Sequence, residues 1–252
     1  MKVTFLGTGT SHGIPIIGSD HPVCKSDNPK DRRLRSSVLI NWDNYNFVID
    51  CGPDFRTQML NSNCSKIDAI IYTHEHSDHV AGLDDIRPFF FNQGKIPIYA
   101  HKRVLNELKK RFYYVFDENY NYPGSPKVIE NIISSNFNIN NKEIIPIDAL
   151  HKDLQIFGYR FEKFAYLTDV KTIEDKEINK LNNLDVLVVN ALRIEHHYSH
   201  FNLEQALEFI KIVKPKKAYL THISHMLGFH DEVQKILPEN VFLAYDGLEI
   251  TV

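Results

Sequence analysis

The sequence predicts an α/β fold made of two β-sheets with helices outside them. Short β-branched and aromatic runs recur along the whole chain. They outnumber the helical patterns between them, and several follow one another directly, as the strands of hairpins do. One doubly wound sheet would instead alternate strand and helix throughout.

The predicted strands begin with "VTFLG" at 3–7, "SVLINW" at 37–42 and "NFVID" at 46–50. "PDFRTQMLN" at 53–61 predicts a helix with Pro in its first turn. Strands follow at 69–73 ("AIIYT") and 96–100 ("IPIYA"), then a helix at 102–112 ("KRVLNELKKRF"). The second half offers "EIIPI" at 143–147, "YRFEKFAYLT" at 159–168, "DVLVVN" at 185–190, "KAYLT" at 217–221 and "NVFLAY" at 240–245. "NLEQALEFIKIV" at 202–213 is the clearest helix, with Leu203, Ala206, Leu207 and Ile210 on one face. Asn202 is its expected N-cap and Gln205 the capping-box partner.

No linker or repeat interrupts the 252 residues, which read as one domain spanning 1–252. The stretch 84–126 differs in holding Phe89, Phe90, Phe91, Phe112, Tyr113, Tyr114, Phe116, Tyr120 and Tyr122. It reads either as a helix pair burying its aromatics or as a cap or homodimer face.

Composition narrows the function. Lys plus Arg (29) against Asp plus Glu (32) leaves a net charge of −3, so there is no general basic surface for nucleic acid. Cys24, Cys51 and Cys64 are odd in number and form no CxxC, which argues against a disulfide framework. "MKVTFLGTGTSHG" lacks the long apolar stretch of a signal peptide, and no run approaches membrane-spanning length. The expectation is a cytoplasmic protein without a membrane partner. "GTGTSHG" is neither GxGxxG nor a P-loop, and reads as a tight turn after the first strand.

The 13 histidines are the unusual feature. Six residues, His74 to His79, contain His74, His76, Asp78 and His79 directly after an apolar run. Extended backbone places His74 and His76 on one side, where two imidazoles can grip a metal. A turn into a helix then rotates Asp78 and His79 toward a second metal. Each metal needs further ligands. Two more apolar runs end as this one does, in Thr168-Asp169 and Thr221-His222, and His151 follows "IIPIDAL". Strand ends that share a rim bring such residues together. His and Asp donors suit Zn²⁺ and Mn²⁺ alike.

"THEHSDH" resembles the HxHxDH signature of the metallo-β-lactamase fold, a four-layer αβ/βα sandwich that usually carries two metals. The order His74, His76, Asp78, His79, His151, Asp169, His222 follows the ligand order of that family. The resemblance implies that His74, His76 and His151 hold one metal, that Asp78, His79 and His222 hold the other, and that Asp169 bridges them. "FLGTGTSHGIPIIGS", "RLRSSVLI", "DCGPDFR" and "LTHISHMLGFH" further resemble the cyclic phosphodiesterases of phosphonate degradation (PhnP-like proteins). The same core is similar to the tRNA 3′-processing endonucleases.

A small cyclic ribose phosphate or nucleotide-like phosphodiester is thus the implied substrate, attacked by a hydroxide shared between two metals. An RNA-processing endonuclease, a thioester or lactam hydrolase, and a non-catalytic metal-binding protein are the alternatives. Asp78 is assigned to catalysis as a ligand. His200, two residues before the expected N-cap Asn202, is assigned as phosphate contact or general acid, as the family implies. His196 and His197 read as solvated loop residues. Arg87 can grip a substrate phosphate or pair with Asp84 or Asp85. PhnP-like members carry a structural zinc on an N-terminal CxCxxC and a late histidine. Here "SDHPVC" leaves His21 and Cys24, with His225 as the late partner, for a third, structural Zn²⁺.

Overall fold

The structure, a computed structural model, describes residues 1–120 and 122–252. Among them, strands β1 (Lys2–Gly7), β2 (Ser37–Trp42), β3 (Tyr45–Ile49), β4 (Ala69–Ile71), β5 (Ile96–His101) and β6 (Val128–Ile133) belong to the first sheet. Strands β7 (Phe137–Ile139), β8 (Lys142–His151), β9 (Leu154–Phe161), β10 (Phe164–Leu167), β11 (Val186–Asn190), β12 (Lys217–Thr221) and β13 (Val241–Leu243) form the second. The last strand, β14 (Glu249–Thr251), returns to the first sheet. The orders are β14-β1-β2-β3-β4-β5-β6 and β13-β12-β11-β10-β9-β8-β7.

Side-chain alternation along the strands builds three apolar layers. Between the sheets lie Phe5, Ile40, Phe47 and Ile49 from the first and Tyr159, Phe161, Tyr166 and Val188 from the second. The opposite face of the first sheet (Val48, Ile70, Ile98) packs on helices 55–62 and 102–111 through Phe55, Met59, Val104 and Leu108. The outer face of the second sheet (Leu187, Val189, Leu220) packs on helices 203–213 and 230–236 through Ala206, Phe209, Ile210 and Val233. The result is the four-layer αβ/βα sandwich. Each fully buried Val, Ile or Phe contributes roughly 1.5–3 kcal/mol relative to exposure.

The helix at 203–213 forms for the expected reason. Asn202 accepts from Gln205 N at 3.1 Å, while the Gln205 side chain accepts from Asn202 N at 3.3 Å. The 53–61 expectation shifts to Phe55–Ser62, with Asp54 as N-cap, so Pro53 stands before the helix. The 69–73 strand ends at Ile71: Tyr72 N still bonds to Tyr99 of β5, but Thr73 N turns to the Asp50 side chain and its carbonyl accepts from Phe157 N. The run 159–168 is two strands, broken at Glu162 (φ 49°). Strands β6, β7 and β14, and the first half of β9, were not apparent in the sequence. β6, β7 and β14 are polar or three-residue edge strands, and the first half of β9 shows no sustained apolar–polar alternation.

In the 84–126 stretch, of which residue 121 lies outside the described residues, Phe89 is buried and Phe112, Tyr114 and Phe116 pack on the core. Phe91, Tyr113 and Tyr122 stay exposed.

The strand directions create the functional rim. β10, β11 and β12 run parallel, pairing Leu167 with Val189 and Asn190 with Thr221. β8 runs the same way as β10, since each is antiparallel to β9. In the first sheet, β3 and β4 are parallel, with Ile49 opposite Ile71. Residues just beyond these ends share one edge.

Candidate metal centre

Three residues at this edge, Asp50 (φ 64°), Asp169 (φ 62°) and His222 (φ 54°), adopt left-handed backbone. Non-glycine residues rarely do so, and such conformations cluster at functional sites. Each follows a buried strand and turns its side chain toward the gap between the sheets. Close backbone approach helps: a Cβ on Gly52 would lie 2.1 Å from the Asp78 carbonyl, and one on Gly82 2.0 Å from the Gly52 carbonyl. These glycines let the "DCG" loop press against the short helix Ser77–Val80, which carries Asp78 and His79.

The structure brings two overlapping groups of these residues together. Ligand atoms of Asp78, His79, Asp169 and His222 lie within 4.8 Å of one another, as do those of His151, Asp169 and His200. His74 Nε2 faces His76 Nδ1 at 3.1 Å, and the His76 and His151 rings lie 5.1 Å apart. All seven candidate ligands and His200 thus meet at one edge, although His151 sits closer to His200 (4.4 Å between rings) than to His74 (5.8 Å).

The surrounding hydrogen bonds fix which ring nitrogens face inward. Asp50, wholly buried, meets His79 Nδ1 at 2.7 Å and accepts from Thr73 N and Thr73 Oγ1, both at 2.8 Å. Thr73 spends its hydroxyl proton on Asp50, so its oxygen accepts from His74 Nδ1 at 3.0 Å. His151 Nδ1 donates to the carbonyls of Asp169 (3.0 Å) and Ser199 (2.8 Å). Thr168 donates to Asp169 at 2.6 Å, leaving its oxygen to face His222 Nδ1 at 3.4 Å. In all four imidazoles Nδ1 is engaged by oxygen, which leaves Nε2 as the nitrogen that faces the cluster and would ligate once unprotonated.

That pattern fits divalent cations. His79 Nε2 is buried without a hydrogen-bond partner, and carboxylate oxygens of Asp78 and Asp169 stand 3.2 and 3.3 Å away. Burial pushes His79 down, but Asp78, Asp169 and Asp50 outweigh it and hold the ring well above its ordinary pKa. The pocket therefore favours added positive charge. Asp169 is held well below the carboxylate range: burial opposes this, and His222, His79 and His200 overcome it. Burial drives His74 well below its usual value and His222 down to about 4, keeping both rings neutral and able to ligate.

Other predicted residues fall differently. His200 Nε2 lies 2.9 Å from Asp169 Oδ1, so it is positioned to donate its proton there. His197 is not a solvated loop residue: its Nδ1 contacts Ser199 Oγ (3.2 Å) and His200 Nδ1 (3.2 Å), and burial lowers it to about 4. His196 is exposed beside Lys171 Nζ at 3.1 Å. Arg87 is outside the cluster. Its Nη2 pairs with Asp84 at 2.7 and 2.9 Å, and both line a cavity of about 510 Å³ between helix 55–62 and residues 84–92. For the structural zinc, His21 and His225 meet with ring centroids 4.7 Å apart. With Cys24 they form no three-ligand group among the described residues.

Sequence reading missed Asp50 and Thr10. Asp50 carried the same signal as Asp169, an acid directly after a buried strand. Thr10, in the "GTGT" turn, reaches His222 Nε2 at 3.2 Å.

Converging imidazoles and carboxylates on this sandwich define a class, the metal-dependent hydrolases. The chain belongs to the β-lactamase superfamily, whose domain profile matches residues 45–223, and within it to the PhnP family. The crystal structure of a diphosphatase from the PhnP family is 39% identical, covers 100% of this chain and 97% of that one, and superposes with a TM-score of 0.93. An octanoyltransferase of Porphyromonas gingivalis is 38% identical over 256 residues, 100% of this chain and 52% of the relative. A ribonuclease Z of Methanococcus maripaludis is 29% identical over 160 residues, 60% of this chain and 45% of the relative. The chain thus spans about half the length of these curated relatives. Among the described residues, no helix is long and apolar enough to cross a membrane.

Proposed function

We propose that the chain is a phosphodiesterase that binds two divalent cations and hydrolyses a small phosphodiester, either a cyclic ribose phosphate or a nucleotide-like ester. The observation that carries this reading is the set of four imidazoles whose Nδ1 atoms are engaged by oxygen, grouped around Asp78 and Asp169. His74, His76 and His151 would hold one cation, Asp78, His79 and His222 the other, with Asp169 shared. Nitrogen and carboxylate donors suit Zn²⁺ or Mn²⁺. When bound, such cations neutralise phosphoryl charge and make hydroxide available near neutral pH.

The chain's own residues supply the rest. His200 Nε2 stands 2.9 Å from Asp169 Oδ1, nearer to a carboxylate than the Nε2 atoms of His79 and His222 (3.2–3.3 Å), and is positioned to hold a proton there. A leaving alkoxide at the cluster would take it, making His200 the general acid. Ser199 Oγ, 3.0 Å from His200 Nδ1, and Lys171 Nζ, 2.7 Å from the His197 carbonyl, hold the 197–200 loop in place. The diphosphatase among the relatives extends the candidate substrates to diphosphate esters. Three free cysteines suit the reducing cytoplasm.

The ribonuclease Z relative supports a second reading, cleavage of RNA 3′ to a tRNA body. The net charge of −3 speaks against a phosphate-backbone surface. The octanoyltransferase relative is matched over 52% of its length, so its acyl transfer is not carried over to this chain.

The test is hydrolysis of bis(p-nitrophenyl) phosphate by Mn²⁺-loaded protein beside Asp169→Ala. Turnover that vanishes in the variant is expected. If metal-loaded wild type is inert toward this ester yet cleaves precursor tRNA, the RNA reading replaces ours.

A further inference from the structure

We infer that Arg103 is a positioning residue for the three-histidine half of the cluster, tying its two contributing sheets together. This rests on the reading that the cluster binds two divalent cations.

Glu75 lies between His74 and His76, and its side chain is only 12% exposed. It receives a forked bond from Arg103, Nε to Oε1 at 2.8 Å and Nη2 to Oε2 at 3.1 Å. The same Nη2 donates to the backbone carbonyl of Gln155. Gln155 stands opposite Leu150 in the β8–β9 ladder, and the next pair is His151 with Leu154. One guanidinium therefore joins the loop carrying His74 and His76 to the hairpin carrying His151.

Arg103 sits on a rigid base. The helix 102–111 buries Val104, Leu105 and Leu108, and the His101 side chain caps its N-terminus. Arg111, about two turns along, donates to the Glu75 carbonyl at 2.8 Å. In the other half, Asp50, Thr10 and Thr168 contact His79 and His222, and Asp50 also reaches His74 through Thr73. A solvated ion pair would contribute little. A planar fork with three acceptors on two sheets instead fixes a separation, which the point charge of lysine cannot do.

The test is metal titration of metal-stripped wild type, Arg103→Ala, Arg103→Lys and Glu75→Gln, followed by calorimetry and chelator competition, with a thermal melt of each. Wild type is expected to bind two equivalents. Each variant should keep one near wild-type affinity and bind the other about 10–100-fold more weakly, with Arg103→Lys the mildest. Should Arg103→Ala fail to melt cooperatively, Arg103→Lys and Glu75→Gln decide. Two equivalents at wild-type affinity, or equal weakening of both, would overturn the assignment. Wild type binding fewer than two would overturn the two-cation reading and this one with it.

Discussion

Asp50 Oδ2 and His79 Nδ1 meet at 2.7 Å with neither side chain exposed, and the same carboxylate orients His74 through Thr73. One acid at the end of β3 thus sets the ring orientation of a proposed ligand to each cation. Carboxylates that hold metal-binding imidazoles in this way tune affinity without touching the metal.

Asp50→Ala should therefore lower affinity at both metal positions, by roughly 10–100-fold. It also leaves Thr73 N–H buried without an acceptor, at a cost of about 1–3 kcal/mol. Chelator competition and urea unfolding read the two effects separately. Unchanged affinity at both positions would remove Asp50 from this role.

His200→Ala makes the opposite prediction. Its Nε2 gives a proton to Asp169 and is assigned to the leaving group, so the variant should still bind two cations. Turnover should fall by roughly 10²–10⁴-fold, the usual span for a general acid. Near-normal turnover with both cations bound would make His200 a structural neighbour of Asp169 only. A lost equivalent of metal would instead identify it as a ligand, beside His151.

These two residues show what was legible in the sequence. The HxHxDH stretch and the endings Thr168-Asp169 and Thr221-His222 were readable because strand ends in parallel register converge. Asp50 carried the same local signal but lies outside the signature, and only its packing against Thr73 and His79 reveals its task. Arg87 illustrates the reverse. Its closeness in sequence to the motif suggested a phosphate contact, yet the 3-10 turn at Leu83–Ile86 carries it to Asp84 and away from the rim. Short edge strands such as β7 and β14 gave no signal, since three residues cannot display a period.

A last prediction concerns a buried network away from the cluster. Arg33, 3% exposed, donates to His230 Nδ1 at 3.1 Å, so that nitrogen must accept and the ring must stay neutral. Burial first, then the charges of Arg33 and Lys30, outweigh Asp231 and Asp31 and lower His230 to about 4. The unfolded chain, with histidine near 6.5, binds this proton at higher pH than the folded one does. Stability from His230 is therefore fully present above about pH 6.5 and is lost as pH falls through about 4. Other buried histidines add slopes of their own, so the informative quantity is the difference between wild type and His230→Gln. Measured by urea unfolding from pH 7 to 4.5, that difference should shift in favour of the variant as pH falls. A pH-independent difference would show that protonation of His230 is not linked to folding.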